Sequence, residues 1–403
     1  MMKVPKSVIV FSSNSHLKLL ALVTLVLLVV ASYFQHGSTP TLLNHHHPLQ
    51  YRNRNRAAVA SKRAGDPPVF AYWIYGSSGD GHRMLRLLKA AYHPRNEYLL
   101  FLDASSSAEE RADLAVYVQS HPLFSAFDNV NVIGRTYGVN QLGGSGLAAL
   151  LHASALLLKL TTTWDWFIPL SVSHYPLITQ DDLLHAFALL PRDLNFVHFA
   201  NTSHQDERIK QVVVDPSLYD TKTTPIFYAQ EARNPPNTFN ILAGSPWVIL
   251  SRSLIEFCDN GWDNFPRKLL MYMTNLPSPL QFYFQTVICN SPTFHNTTIH
   301  NHLSHVITKN DSLSDMGETT VVIVAKPFDD ALLQEIDNNV LNRSANGVVP
   351  GKWCLEQKQN ATENIWKWGD INSVEASPRG VKLGLMLSRL ANQRLDVCPS
   401  RRS

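Results

Sequence analysis

The stretch Val69 to Leu102, VFAYWIYGSSGDGHRMLRLLKAAYHPRNEYLLFL, decides the fold. Val69 to Tyr75 is a short apolar run ending at a Gly/Ser cluster, the mark of a buried strand. Gly79 to Tyr92 reads as a helix, and Tyr98 to Leu102 as a second strand. Downstream the same alternation continues. A helix is expected over Ala108 to Ser120, a strand at Val130 to Gly134, a helix near Gly146 to Leu160 and a strand at Trp166 to Leu170. Alternating strands and helices imply an α/β fold with a mostly parallel, helix-covered sheet. Ligands of such sheets bind outside the carboxyl ends of the strands. The loops Gly76 to Asp80, Asp103 to Ser107 and Ser171 to Pro176 are therefore the candidate site.

Asp103 ends a strand, where a carboxylate suits a ribose or base and equally suits a helix cap. Thr179-Gln-Asp-Asp182 reads as a capping box, which makes Asp181 and Asp182 helix-starting residues rather than acids of catalysis. Beyond Asn195 the pattern loosens. Gly244 to Arg252 reads as a loop into a buried strand, Gly261-Trp-Asp-Asn264 as a turn leading through Pro266 into a helix, and Leu280 to Cys289 as another helix. From Gly351 the chain reads as a disulfide-tied appendage of the same domain.

Of 403 residues, 45% are hydrophobic and 17% charged, an ordinary globular balance that excludes a disordered or fibrous protein. The net charge of +3, without a long basic run, gives no footprint for nucleic acid. Leu19 to Phe34 is apolar and uncharged, close to the lower length for a bilayer span. Lys3, Lys6 and Lys18 precede it and no Lys or Arg follows as far as Gln50, so the expected topology is a cytoplasmic tail (1–18), a signal anchor (19–34), a stem (35–66) and one lumenal domain (67–403). Sequons at Asn201, Asn296, Asn310, Asn342 and Asn360 all fall on the lumenal side. Cys258, Cys289, Cys354 and Cys398 lack metal-site spacing, and in an oxidising lumen two disulfides with three possible pairings are expected.

No Gly-x-Ser-x-Gly elbow, His-Glu-x-x-His pair, P-loop or Asp-x-Asp occurs. A sugar leaving a nucleoside diphosphate exposes negative charge, so basic side chains become the candidates to stabilise it. Phe70-Ala-Tyr, Gly79-Asp-Gly, Tyr92-His-Pro-Arg-Asn, Trp164-Asp-Trp-Phe-Ile, Tyr175-Pro-Leu-Ile-Thr-Gln-Asp-Asp, Leu190-Pro-Arg-Asp-Leu-Asn-Phe, Gly261-Trp-Asp-Asn and Thr286-Val-Ile-Cys-Asn stand in consistent order. Together, over roughly Val69 to Asn342, they resemble the plant branch of glycosyltransferase family 14. That family comprises the core-2/I-branching β-1,6-N-acetylglucosaminyltransferases and the arabinogalactan β-glucuronosyltransferases.

The resemblance implies a type II Golgi enzyme with a variant GT-A fold, a Rossmann-like mixed sheet flanked by helices. It also implies an inverting, metal-independent transfer of GlcA or GlcNAc from a UDP-sugar to a β-galactan-type glycan, with no cofactor. By the same resemblance Ile74, Asp103 and Lys326 fall on the donor side, and Arg233 and Trp247 on the acceptor side. The family's catalytic Glu is replaced by Gln281, and its Ser-x-x-Asp-Tyr-Pro reads Ser171-Val-Ser-His174-Tyr-Pro here. Asn140-Gln-Leu-Gly143 and Asn240 are further departures. An amide orients a hydroxyl but does not take its proton, so His174 is the candidate replacement base. A family member without catalysis, binding glycan or pairing with an active transferase, is the alternative. A glycoside hydrolase would need two flanking carboxylates, and the sequence nominates no such pair.

Overall fold

The computed structural model describes residues 58–393 and 398, except 59, 64, 201–204, 221, 308–319, 326–329, 345 and 360–363. The expected tail and anchor, Lys326, and the sequons at Asn201, Asn310 and Asn360 lie outside the described residues, as does most of the stem. Among the described residues no helix is long and apolar enough to cross a membrane. Asn296 and Asn342 are both exposed.

The expected alternation is present. Strands β1 (Phe70–Gly76), β2 (Glu97–Leu102), β3 (Val130–Val132) and β4 (Trp166–Ser171) alternate with helices α1 (Gly81–Ala90), α2 (Ala108–Ser120) and α3 (Gly144–Leu160). The main sheet has the order β3-β2-β1-β4, with the strand Leu250–Ser251 beyond β4. Its first four strands are parallel and Leu250–Ser251 runs antiparallel to β4, so the sheet is mixed. Strand order reverses between β1 and β4, which leaves a crevice beyond their carboxyl ends.

β1 is central and buried along almost its whole length, as expected of a strand covered on both faces. Its pleat sorts the side chains. Phe70, Tyr72 and Ile74 enter one core, and Ala71 and Trp73 the other. After β1 the chain turns at Gly79, whose φ of +81° is readily adopted only without a Cβ. Asp80 Oδ2 accepts from Ser77 N and Oγ, and Glu110 of α2 accepts from Gly79 N and Gly81 N, so a neighbouring carboxylate occupies the start of α1.

Several of the most recognisable motifs turn out to be scaffold. In Tyr92-His-Pro-Arg-Asn96, Tyr92 Oη donates to Asn129, and Asn96 accepts from Phe70 N while donating to Gln180. Arg95 holds the carbonyls of Ser61, Pro67 and Pro68, fastening the segment that leads into β1. The expected capping at Thr179 is present, its Oγ1 accepting from Asp182 N at the start of α4 (Gln180–Ala188).

Asp182 in turn accepts from Ser377 N and Oγ, and Asp181 from Glu375 N. Both carboxylates thus seat the C-terminal helix α5 (Pro378–Gln393), whose Leu383 and Leu387 are fully buried. Instead of an appendage, this segment is part of the core. The expectation of two disulfides is corrected to one, Cys289–Cys398, among the described residues. Cys258 packs in the core on the Trp73 side of the sheet and Cys354 against the core on the Ile74 side, so the fold keeps these two apart.

Candidate functional site

Beyond the ends of β1 and β4 lies a cleft of about 390 Å³. Its walls come from five places: β1 (Trp73, Tyr75), the loop before α3 (Gln141), the end of β4 (Ser171 to His174), Ser245 to Trp247, and the turn carrying Gln281. His302 and Ser304 close the remaining side. Among the described residues lining it there is no Asp, Glu, Lys or Arg.

Gln281 ends a short 3-10 turn, Pro279–Gln281, entered through Ser278 at φ +54°. Its backbone carbonyl accepts from Gly244 N at 2.7 Å, which joins the two loops of the wall. The side-chain Oε1 accepts from Arg208 Nη1 at 2.9 Å, while the same guanidinium lies 5.1 Å over the Phe282 ring. Because a guanidinium only donates, this contact fixes which amide atom faces Arg208 and turns Nε2 the other way. A cation therefore stands directly behind the position where the resemblance implied a carboxylate.

His174 and Trp247 meet in the same cleft, their rings 5.1 Å apart. His174 Nδ1 accepts from Ser171 N at 2.9 Å, so the neutral ring carries its proton on Nε2. In that tautomer the Nδ1 lone pair that a general base needs is already engaged. His302 is held alike, its Nδ1 accepting from Ser304 N at 3.2 Å. Trp247 is buried and donates from Nε1 to His302 O, so it is a core residue and a cleft wall at once.

Behind His302 stand His198 and His300, each with its ring 5.0 Å from a neighbour's. Burial, and secondarily the neighbouring imidazoles, lowers the pKa of His302 and His198 below the usual histidine value. Among the described residues no group of three or more His, Cys, Asp or Glu is placed to hold a metal ion.

Tyr75 links this wall to Asp103. Burial first, then the Asp103 carboxylate, pushes its phenol up to about 12, against a hydrogen bond from Gln141. Asp103 itself is buried and does not line the cleft. Ser105 N and Oγ bind its Oδ1, and Thr223 Oγ1 binds its Oδ2 at 3.0 Å. A nucleotide ribose would share oxygens that already brace two loops.

The remaining sequence-nominated residues are elsewhere. Ile74 points into the opposite core, because the pleat that sends Trp73 and Tyr75 to the cleft sends Ile74 away from it. Arg233 stacks 3.8 Å over the Tyr272 ring and donates to Tyr272 O, away from the cleft. The arginine that stands behind Gln281 is Arg208, which sequence reasoning missed: it sits in the short helix Gln205–Lys210, whose polar sequence carries no motif. Trp73, Tyr75 and His302 were also missed, although the alternation along β1 would have separated Trp73 and Tyr75 from Ile74.

Residues 70–328 match the family model described as Branch: Core-2/I-Branching enzyme. The chain belongs to that family. Among curated relatives, it is 40% identical over 340 residues to β-glucuronosyltransferase GlcAT14A of Arabidopsis thaliana, covering 80% of this chain and 76% of that one. It is 44% identical over 311 residues to β-glucuronosyltransferase GlcAT14C of the same plant, covering 73% and 79% respectively. Among solved structures, the galactosyltransferase LgtC with donor and acceptor sugar analogues aligns at a TM-score of 0.37 and 10% identity, over 70% of this chain and 98% of that one. In this member of the Core-2/I-branching family, Gln281, His174 and Trp247 come together in one cleft, and Asp103, Ile74 and Arg233 stand outside it.

Proposed function

We propose that this chain is an inverting β-glucuronosyltransferase of variant GT-A fold, anchored in the Golgi membrane with its domain in the lumen. It transfers GlcA from UDP-GlcA to a β-galactan-type acceptor such as an arabinogalactan glycan. The observation that carries this reading is the aromatic-walled cleft at the switch between β1 and β4, in a chain 40 to 44% identical to plant β-glucuronosyltransferases. Trp73 and Trp247 supply flat apolar faces of the kind sugar rings pack against, and the switch point is where sheets of this order take nucleotides. The apolar run at 19–34 and the exposed sequon asparagines Asn296 and Asn342 support the membrane and lumenal part.

In the reaction the acceptor hydroxyl oxygen attacks the anomeric carbon, the bond to the diphosphate breaks, and the hydroxyl proton must leave. No carboxylate among the described wall residues takes it, and the Nδ1 lone pair of His174 is already engaged by Ser171 N. The chain is therefore expected to bind donor and to turn over slowly. That same observation favours a second reading, a donor- or glycan-binding member that works beside an active transferase. The deciding experiment is transfer of labelled sugar from UDP-GlcA, with UDP-GlcNAc in parallel, to a β-galactan by the purified full-length chain. Product from UDP-GlcA supports the first reading. A rise in melting temperature with UDP-GlcA but no product supports the second. Product from UDP-GlcNAc alone overturns the donor assignment.

A further inference from the structure

The helix Tyr283–Asn290 begins two residues after Gln281 and grips the segment Asn240 to Ser245 with three side chains. Asn290 Oδ1 accepts from Asn240 N at 3.1 Å, and Asn290 Nδ2 donates to Asn240 O at 2.8 Å. Thr286 Oγ1 accepts from Leu242 N at 3.0 Å. Gln285, fully buried, donates from Nε2 to Ser245 O at 2.8 Å and, more weakly, to His198 O at 3.4 Å. Ser245 is the joint of this wall: its N donates to His198 O, and its Oγ accepts from Trp247 N at 3.2 Å. Gly244 leaves no slack, since a Cβ there would overlap His198 O and stand 2.8 Å from Gln285 Nε2. Ser245, Pro246 and Trp247 line the cleft, and Gln285 stands behind them.

We propose that Gln285 is a positioning residue that sets, through Ser245, where the Trp247 ring stands against the acceptor glycan, an assignment that rests on the transferase reading above. A carbonyl only accepts, so the Gln285 amide turns Nε2 toward Ser245 O, and its Oε1 is left without a hydrogen bond partner among the described residues. An unpaired buried acceptor costs at least as much as one ordinary hydrogen bond returns. Gln285 therefore adds little to the stability of the fold, and a leucine would fill the same space without the unpaired oxygen. What the amide supplies is direction: it fixes the carbonyl of the residue whose hydroxyl holds Trp247 N. A gap of about 0.5–1 Å forfeits a quarter to a half of each van der Waals contact, so a wall that relaxes by that much loosens a stacked sugar without unfolding anything.

The test measures dissociation constants of UDP and, with UDP present, of a β-galacto-oligosaccharide on the full-length chain. Gln285→Leu should weaken oligosaccharide binding about five- to tenfold, with UDP affinity and melting temperature unchanged. Trp247→Phe should weaken it to a similar degree, and the double variant no further than the weaker single one, because Gln285 acts through the wall that carries Trp247. Gln285→Glu adds a pH readout. Its carboxylate has no proton to give Ser245 O, so at pH 8 it should bind the oligosaccharide as Gln285→Leu does, and it should recover toward the wild type measured at the same pH once acid protonates it. Unchanged oligosaccharide binding by Gln285→Leu overturns the assignment, as does additivity with Trp247→Phe. A Gln285→Leu chain that loses UDP binding and melting temperature together also overturns it, because Gln285 then merely holds the fold. These three outcomes leave the transferase reading standing. A wild-type chain that binds UDP but no oligosaccharide overturns the acceptor reading, and one that binds neither overturns the transferase reading, each taking this assignment with it.

Discussion

Gln281→Glu places a carboxylate at a cleft position that already has a cation behind it. Arg208 Nη1 donates to Gln281 Oε1 at 2.9 Å, and the substitution conserves shape while turning this neutral acceptor into a charged one. A hydrogen bond to a charged group is worth about 1 kcal/mol more than a neutral one, so the variant should be as stable as the wild type or slightly more so. The guanidinium should hold the new carboxyl below the ordinary glutamate value of about 4.3, so that it is fully ionised near neutrality. A positioned general base contributes about 10²–10⁴ in rate, equivalent to roughly 3–5 kcal/mol of barrier. The expected outcome is a rise in kcat of that order for transfer from UDP-GlcA to a galactan, read at saturating donor because the new carboxylate also faces the cleft that takes the anionic donor. The rate should be flat above about pH 5 and fall only below it, as the carboxylate protonates. Labelled-sugar transfer under saturating donor is the assay. If the variant is folded, saturates with UDP-GlcA and turns over no faster, position 281 is not where the acceptor proton goes, and the reasoning fails.

Other perturbations test the scaffold. Asp337 is buried between Arg343, Arg86 and Tyr175, whose hydroxyl donates to it at 2.6 Å. Asp337→Ala removes the buried carboxylate that both guanidiniums share and should cost about 3–5 kcal/mol, read from urea unfolding, and loosen β5 (His174–Pro176), which carries His174. Burial pushes the Asp259 carboxyl up to about 6, against a hydrogen bond from Ser154, while the unfolded value is about 3.9. The native state thus holds the extra proton between about pH 4 and 6, and stability falls as pH rises through that window. Asp259→Asn should accordingly raise the melting temperature at pH 7.5, by the equivalent of about 2 kcal/mol, and leave it unchanged near pH 4. Cys398→Ser removes the bond to Cys289 across 109 residues and should cost about 2–4 kcal/mol by chemical denaturation, a difference that a reductant applied to the wild type reproduces.

Local pattern carried most of the architecture. Strands β1, β2 and β4 and helix α2 stand within a residue or two of where hydrophobic runs and their boundaries place them, because a buried parallel strand must be apolar along its length and a turn must be polar. Thr179 was legible as a cap for the same reason: its partner, Asp182 N, is three residues away. The motifs that reveal the family were legible too, yet Tyr92 to Asn96 serves packing and not chemistry, and sequence does not separate these roles. Gln281 was marked by its departure from the family pattern.

What only the tertiary structure decided is which distant residues face one another. Arg208 and Gln281 are 73 residues apart and meet because a short helix and a 3-10 turn come together beside the cleft. Trp73 and Ile74 are adjacent in sequence but enter different cores, since the strand pleat sends neighbours to opposite faces. The ring nitrogen that keeps the proton on His174 depends on a backbone N–H three residues away, and that depends on how β4 ends. Composition and periodicity act over a few residues and are written along the chain. Donors, acceptors and charges in a cleft are set by the meeting of elements far apart in it, and sequence alone does not bring them together.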